Sequence, residues 1–208
     1  MLDRYGHTYA REAGIRLADR PAPLYQLLVL ATLLSARISA DIAVAAAREL
    51  FRAGYRTPRA MQEASWQDRV DALGRGHYRR YDERTASMLG DGAALLRAKW
   101  RGDLRKLRAA AGGDARRAAS LLTEFPGMGP AGADIFLREA QGVWPDLAPY
   151  FDRRAADGAA LLGLPRQPDA LAAMVPQSDL NRLAAALVRV SRSRDAAGQL
   201  AEAASAAS

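Results

Sequence analysis

The chain has 208 residues, half of them hydrophobic, enough to fill the core of one large or two small domains without a partner. It has no cysteine, which excludes disulfides, thiolate-held iron–sulfur clusters and cysteine zinc sites, and its histidines, His7 and His77, lie too far apart in sequence for a metal motif. The net charge is +7 and the calculated pI about 10.2, a surplus that phosphate-backbone binding draws on and that a solvated surface also tolerates.

Alanine and leucine dominate and apolar residues return at intervals of three and four, so the chain reads as all-α. Pro21 and Pro23 open a helix with Leu24, Leu27, Leu28, Ala31 and Leu34 on its buried side. A second, over 41–52, follows Ser35 and Ser39, carries the small face Ala43, Ala46 and Ala47, and stops at Gly54. Thr57 before Pro58, and Ser65 with Asp68 as an acidic capping box, predict short helices near 58–64 and 66–73, ended by Gly74 and Gly76. The stretch 81–89 begins another helix, with a break expected at Gly90-Asp91-Gly92. Leu96, Trp100, Leu104, Leu107 and Ala111 then trace one side of an amphipathic helix. Lys99, Arg101, Arg105, Lys106 and Arg108 on its other sides read as a solvated face.

Asp114 caps a helix running to about 124, and Pro130 starts its successor. Gly142, Pro145 and Pro149 make 141–157 less regular; helices are suggested over 155–162 and 180–191, with a third over 168–174. The stretch 195–208 lacks bulky anchors and reads as a frayed or disordered tail. No stretch has the uncharged apolar length of a signal peptide or membrane span, so the default expectation is a cytoplasmic protein without a membrane partner.

The sharpest interruption lies in LLTEFPGMGPAGADIFLREA, residues 121–140. Pro126 prevents helix continuation, Gly127 and Gly129 allow torsions or close approach that a side chain forbids, and Pro130 needs no donor at the first helical position. Met128 between the glycines can turn inward and pin the loop. The corner presents bare backbone N–H groups at a helix N-terminus, suited to a phosphate oxygen and blind to base identity. A carbonyl on the turn is also a place for a monovalent cation that bridges to the phosphate. An ordinary tight turn, with glycines for geometry alone, is the other reading of the same residues.

Leu122 to Ala133, L-x-x-F-P-G-M-G-P-x-x-A, resembles the helix-hairpin-helix of the endonuclease III and adenine glycosylase superfamily of base-excision repair enzymes. LLSARISAD (33–41), ALGRGHYRRYDERTASML (72–89) and GVWPDLAPYFDRRA (142–155) resemble further segments of that family in the same order, so the likeness covers about 25–190. In the second of these, Tyr81 and Arg84 stand at the family's tyrosine and lysine.

The resemblance implies two helical domains with a DNA-binding cleft between them. One is a six-helix barrel-like domain at 24–140 that contains the hairpin; the other is made by 1–23 and 141–208. It implies double-stranded DNA with a damaged or mismatched base as partner, that base being turned out of the duplex. Gly127, Gly129 and Ala131 would be the donors to phosphate. Arg37 falls where relatives place a wedge or strand-probing residue, and is equally a surface arginine in a helix connection.

For chemistry, Asp152 matches the catalytic aspartate that stabilises an oxocarbenium-like sugar or helps a water attack it. Two extra residues separate it from Trp144-Pro145, so Tyr150 stands where an equal-length match puts the acid, and Asp146 is the fallback. A helix-capping role for Asp152 ahead of Arg153-Arg154 stays open. Ala131 stands where bifunctional relatives carry a lysine nucleophile, so lysine-dependent strand cleavage is not expected; Lys99 and Lys106 are the only lysines, and arginine stays protonated. Gly132 departs from the family's small hydroxyl, and Asp134 near the helix start repels a phosphate placed too close. The family's iron–sulfur cluster is excluded, and no cofactor is expected beyond the cation at the hairpin. Tyr78 and Tyr81, with Arg79, Arg80 and Arg84, are candidates to line the cleft, while Tyr81 and Trp66 are as easily core or boundary residues.

The expected function is a monofunctional DNA glycosylase that hydrolyses the N-glycosidic bond. The alternatives are a non-catalytic helix-hairpin-helix DNA-binding protein and a helical protein that uses the hairpin only for packing.

Overall fold

Caps and prolines place most of the helices. The computed structural model describes residues 1–192, which form helices and turns without a strand; the expected tail at 195–208 lies outside the described residues. In chain order the α-helices are α1 Leu2–Tyr5, α2 Tyr9–Glu12, α3 Pro21–Leu34, α4 Ala40–Arg52, α5 Pro58–Glu63, α6 Trp66–Arg75 and α7 Asp82–Trp100. They continue as α8 Leu104–Ala111, α9 Ala115–Leu122, α10 Pro130–Ala140, α11 Arg153–Leu161, α12 Pro168–Ala172 and α13 Leu180–Arg192. Two compact units result, Tyr9–Leu137 and Met1–Thr8 together with the residues from Arg138 on.

In the larger unit α3 is buried more widely than one stripe predicts. Leu24, Tyr25 and all of Leu27 through Leu33 are buried, and Leu34 at the end is half-buried. A helix apolar on every side is a central one, and α3 packs on α2, α4 and α8. The alanine face of α4 is fully buried and lets backbone approach backbone: a Cβ on Gly76, at the end of α6, would run into the main chain of Ala46. Thr57 caps α5 by accepting from the Ala60 N–H at 3.2 Å, and Ser65 and Asp68 complete the capping box on α6.

Two expectations fail here. No break occurs at Gly90-Asp91-Gly92, through which α7 runs unbroken. The buried Arg69 explains the first of these glycines: a Cβ on Gly90 would lie 2.9 Å from its Nη2. The Arg69 guanidinium donates to the carbonyls of Ala86 (2.9 Å), Met61 (3.0 Å) and Ala64 (2.8 Å). It thereby satisfies carbonyls at the end of α5 that the helix leaves open. The single amphipathic helix through 96–111 is also two helices. Arg101 (φ 53°) and Gly102 (φ 76°) turn left-handed, and Asp103 restarts the chain by accepting from the Arg105 N–H at 3.0 Å. Leu96, Trp100, Leu104, Leu107 and Ala111 are buried as expected, because the turn redirects the backbone while keeping the apolar stripe inward.

The smaller unit is built on α11 and α13, which touch backbone to backbone at Gly158, where a Cβ would overlap the Leu187 carbonyl. Ala155, Ala159, Leu171, Leu183, Leu187 and Val188 form its core, with Leu2 of α1 packed against it. Arg182 ties α1 down through Asp3 (3.2 Å), and Arg189 donates to the His7 carbonyl at 2.9 Å. The short helices α1 and α2 carry no sequence signal strong enough to be expected.

Candidate nucleic-acid interface

The hairpin between α9 and α10 starts from a capped helix. Asp114 accepts from the N–H groups of Arg116 (2.8 Å) and Arg117 (3.2 Å), and α9 stops at Leu122, two residues before the expected end. Phe125 and Met128 turn inward, each 3% exposed, and hold the corner from beneath. Gly127 is left-handed (φ 80°), a conformation that favours glycine, and a Cβ there would lie 2.8 Å from the Met88 sulfur and 3.3 Å from Thr32 Cγ2. Gly129 has open space where a Cβ would stand.

Gly127, Gly129, Pro130 and Ala131 are exposed. The Met128 N–H is used by the Phe125 carbonyl at 3.0 Å, whereas the N–H groups of Gly127, Gly129 and Ala131 find no acceptor among the described residues. The Gly129 carbonyl accepts from Gly132 (2.9 Å) and Ala133 (3.0 Å), which starts α10 and points the free donors outward along its positive end. Gly132 is buried, where a Cβ would lie 2.5 Å from the Met128 sulfur and 3.2 Å from Ser35 Cβ. A side chain at this position would press first on Met128 and then on Ser35. Asp134, one turn into the helix, is half-buried.

Arg37 lies in the connection between α3 and α4, exposed and without a polar partner among the described residues. Its connection is fastened to the hairpin. The Ser35 hydroxyl lies 2.7 Å from the Thr32 carbonyl and 3.1 Å from the Gly127 carbonyl, so its single proton is shared between the end of α3 and the turn. Of the aromatic residues expected beside a cleft, Tyr78 is instead a core residue, 1% exposed, with its phenol oxygen accepting from Thr85 at 3.3 Å. Burial pushes its pKa up, partly offset by that hydrogen bond. Tyr81 is half-buried under the Arg80 guanidinium, 5.2 Å from the ring centre. Trp66 is 41% exposed and donates to Ser87 at 3.1 Å.

In the smaller unit Asp152 is the N-cap of α11, accepting from the Ala155 N–H at 3.0 Å with one carboxylate oxygen. The other oxygen pairs with Arg138, and the two side chains are only 5% and 6% exposed. The preceding loop is clamped by Gln141, whose side chain donates to the Tyr150 carbonyl and accepts from the Tyr150 N–H, both at 2.9 Å. Asp146 sits exposed on the 3-10 turn Pro145–Leu147. Among the described residues no group of three His, Asp or Glu could hold a metal ion, and no helix is long and apolar enough to cross a membrane.

No protein-family model and no curated protein matches the sequence. A solved structure of a trapped endonuclease III–DNA covalent intermediate, an estranged-adenine complex, matches over 90% of this chain and 81% of its own, at 18% identity and a TM-score of 0.50. The chain has the endonuclease III fold.

Within that fold sequence reasoning missed Arg138, Gln141 and the Ser35 tie. Arg138 and Gln141 had a signal: both are polar residues one helical turn apart that finish an apolar helix, a place where burial demands a partner. Ser35 had none beyond its place after a helix, because its partner lies 92 residues away.

Proposed function

We propose that this chain binds duplex DNA through its phosphate backbone at the α9–α10 hairpin. In base excision repair it removes a damaged or mismatched base by hydrolysis, without lysine-dependent strand cleavage. The observation that carries the binding is the set of N–H donors on Gly127, Gly129 and Ala131, exposed, without acceptors among the described residues and at the positive end of an eleven-residue helix. Arg37, free on a connection fastened to the same turn, is assigned the wedge. The Gly127 carbonyl is the candidate oxygen for a bridging monovalent cation.

Asp152 is assigned the carboxylate that steadies positive charge on the sugar as the base leaves. To do so, one of its oxygens has to leave Arg138 or act beside it. A second reading, binding without chemistry, is favoured by that same pair, since both Asp152 oxygens are engaged and the side chain is buried.

One experiment separates the two. A panel of lesion-bearing duplexes is incubated with the protein, and abasic sites are converted to breaks by hot alkali. The glycosylase reading expects breaks only after alkali, lost in Asp152→Asn and in the charge-neutral pair Asp152→Asn/Arg138→Met while binding persists. Breaks without alkali, with borohydride trapping on a lysine, contradict the assignment; an inactive panel with intact binding leaves the binder. DNA affinity that hardly changes with salt removes the phosphate grip itself.

A further inference from the structure

The larger unit also carries arginines around two adjoining cavities. A cavity of about 560 Å³ beside the first turn of α3 carries Arg16, Arg48, Arg52 and Arg56 over an apolar floor that includes Pro23 and Phe51. A neighbouring cavity of about 470 Å³ carries Arg59, Arg97 and Arg101. Ala22 lines both, and Arg56 of the first is followed directly by Thr57 and Pro58 of the second, so the two form one track. All of these arginines are exposed.

Their partners leave most of that charge uncompensated. Arg52 and Arg59 pair with Glu49 and Glu63. Arg48 donates to the Glu12 carbonyl (2.7 Å), Arg56 to the Phe51 carbonyl (2.8 Å) and Arg97 to the Gln62 side chain, all neutral oxygens. Arg16 and Arg101 have no polar partner among the described residues. Arg101 closes α7 with a left-handed backbone (φ 53°), which holds its side chain at the turn into α8.

Guanidinium groups fit phosphate oxygens as a fork, and a row of them across two adjoining cavities reaches beyond a single phosphate. The track is distinct from the hairpin: Ala22 and Thr32, the residue under Gly127, are ten positions apart on α3, a rise of about 15 Å. We infer that the arginine track is a second nucleic-acid site, holding a phosphate backbone separate from the stretch gripped at the hairpin, so that one chain engages two DNA segments. That the track holds phosphate is independent of the hairpin reading; that one chain engages two segments rests on it.

The test uses short duplexes on the full chain, with Gly129→Asp closing the hairpin by putting a carboxylate where a phosphate would sit. Fluorescence anisotropy expects Gly129→Asp to keep residual, salt-dependent binding. Adding Arg16→Gln with Arg101→Asn, which breaks no hydrogen bond among the described residues and keeps a left-handed-tolerant residue at 101, weakens it about tenfold or more. Arg48→Gln with Arg56→Gln is the second, independent pair and lowers affinity further. Calorimetry expects two duplexes per wild-type chain and one per track variant. Equal binding by Gly129→Asp with and without the track substitutions overturns the proposal. So does a track-dependent affinity for ATP that duplex DNA does not share, which makes the site a nucleotide pocket. If Gly129→Asp binds as wild type while the track variants do not, the hairpin reading fails and the track stands.

Discussion

The hydroxyl of Ser35 lies 3.1 Å from the carbonyl oxygen of Gly127 and 2.7 Å from that of Thr32, which puts the connection that carries Arg37 against the turn that carries the free amides. Replacing Ser35 by alanine keeps the Cβ that packs against Gly132 and removes only the hydrogen bond. We expect a loss of about 1 kcal/mol, read as a fall in Tm of about 2–4 °C, together with several-fold weaker DNA binding. Unchanged binding at lowered Tm would reduce Ser35 to a packing residue.

Gly129 and Gly127 should respond in opposite ways. Gly129 has open space and precedes a helix, the position where aspartate is favoured as a cap. Gly129→Asp is therefore expected to hold or raise Tm while its carboxylate opposes a phosphate at the free amides, lowering hairpin affinity tenfold or more. Gly127→Ala is expected to lose about 1–3 kcal/mol, because alanine at φ 80° is strained and its methyl meets Met88 and Thr32. Thermal melts beside anisotropy on both variants decide it; equal destabilisation by the two would mean that the glycines serve the turn alone.

Arg138 and Asp152 form a pair whose value lies mainly in not being broken. Arg138→Met leaves a carboxylate 5% exposed without its cation, and removing one member of a buried pair costs about 3–5 kcal/mol. Asp152→Asn keeps the cap, since asparagine accepts from Ala155 as well, but strands the guanidinium. The double substitution should recover most of the loss. Denaturant melts over the four proteins give the coupling energy; a value near zero would mean that the pair contributes no interaction to the fold.

How far the sequence foretells this structure depends on the range of the interaction. Thr57, Ser65 with Asp68, Asp114 and Pro130 act within one turn, and the helices start where these residues say. The hairpin is legible for the same reason, its glycines and prolines being local statements about torsion. The glycines at 90 and 92 are illegible because the partner of Gly90, Arg69, sits on another helix, and a glycine that makes room reads in one dimension like a glycine that breaks. The stop at Arg101 is hidden too, since nothing in an arginine announces a left-handed backbone. For Asp152, sequence offered catalysis and capping side by side; the cap is visible, and the buried Arg138 beside it required three dimensions.

Arg69, lodged among three carbonyls, makes Gly90 part of the same joint. A lysine offers a point charge where the fork of an arginine reaches Ala86, Met61 and Ala64 at once, so Arg69→Lys should loosen the meeting of α5, α6 and α7, and Gly90→Ala should do so from the other side. The two positions are therefore expected to be coupled: with Arg69 replaced by a smaller side chain, Gly90→Ala should cost less than it does beside the arginine, which melts of the single and double variants would show.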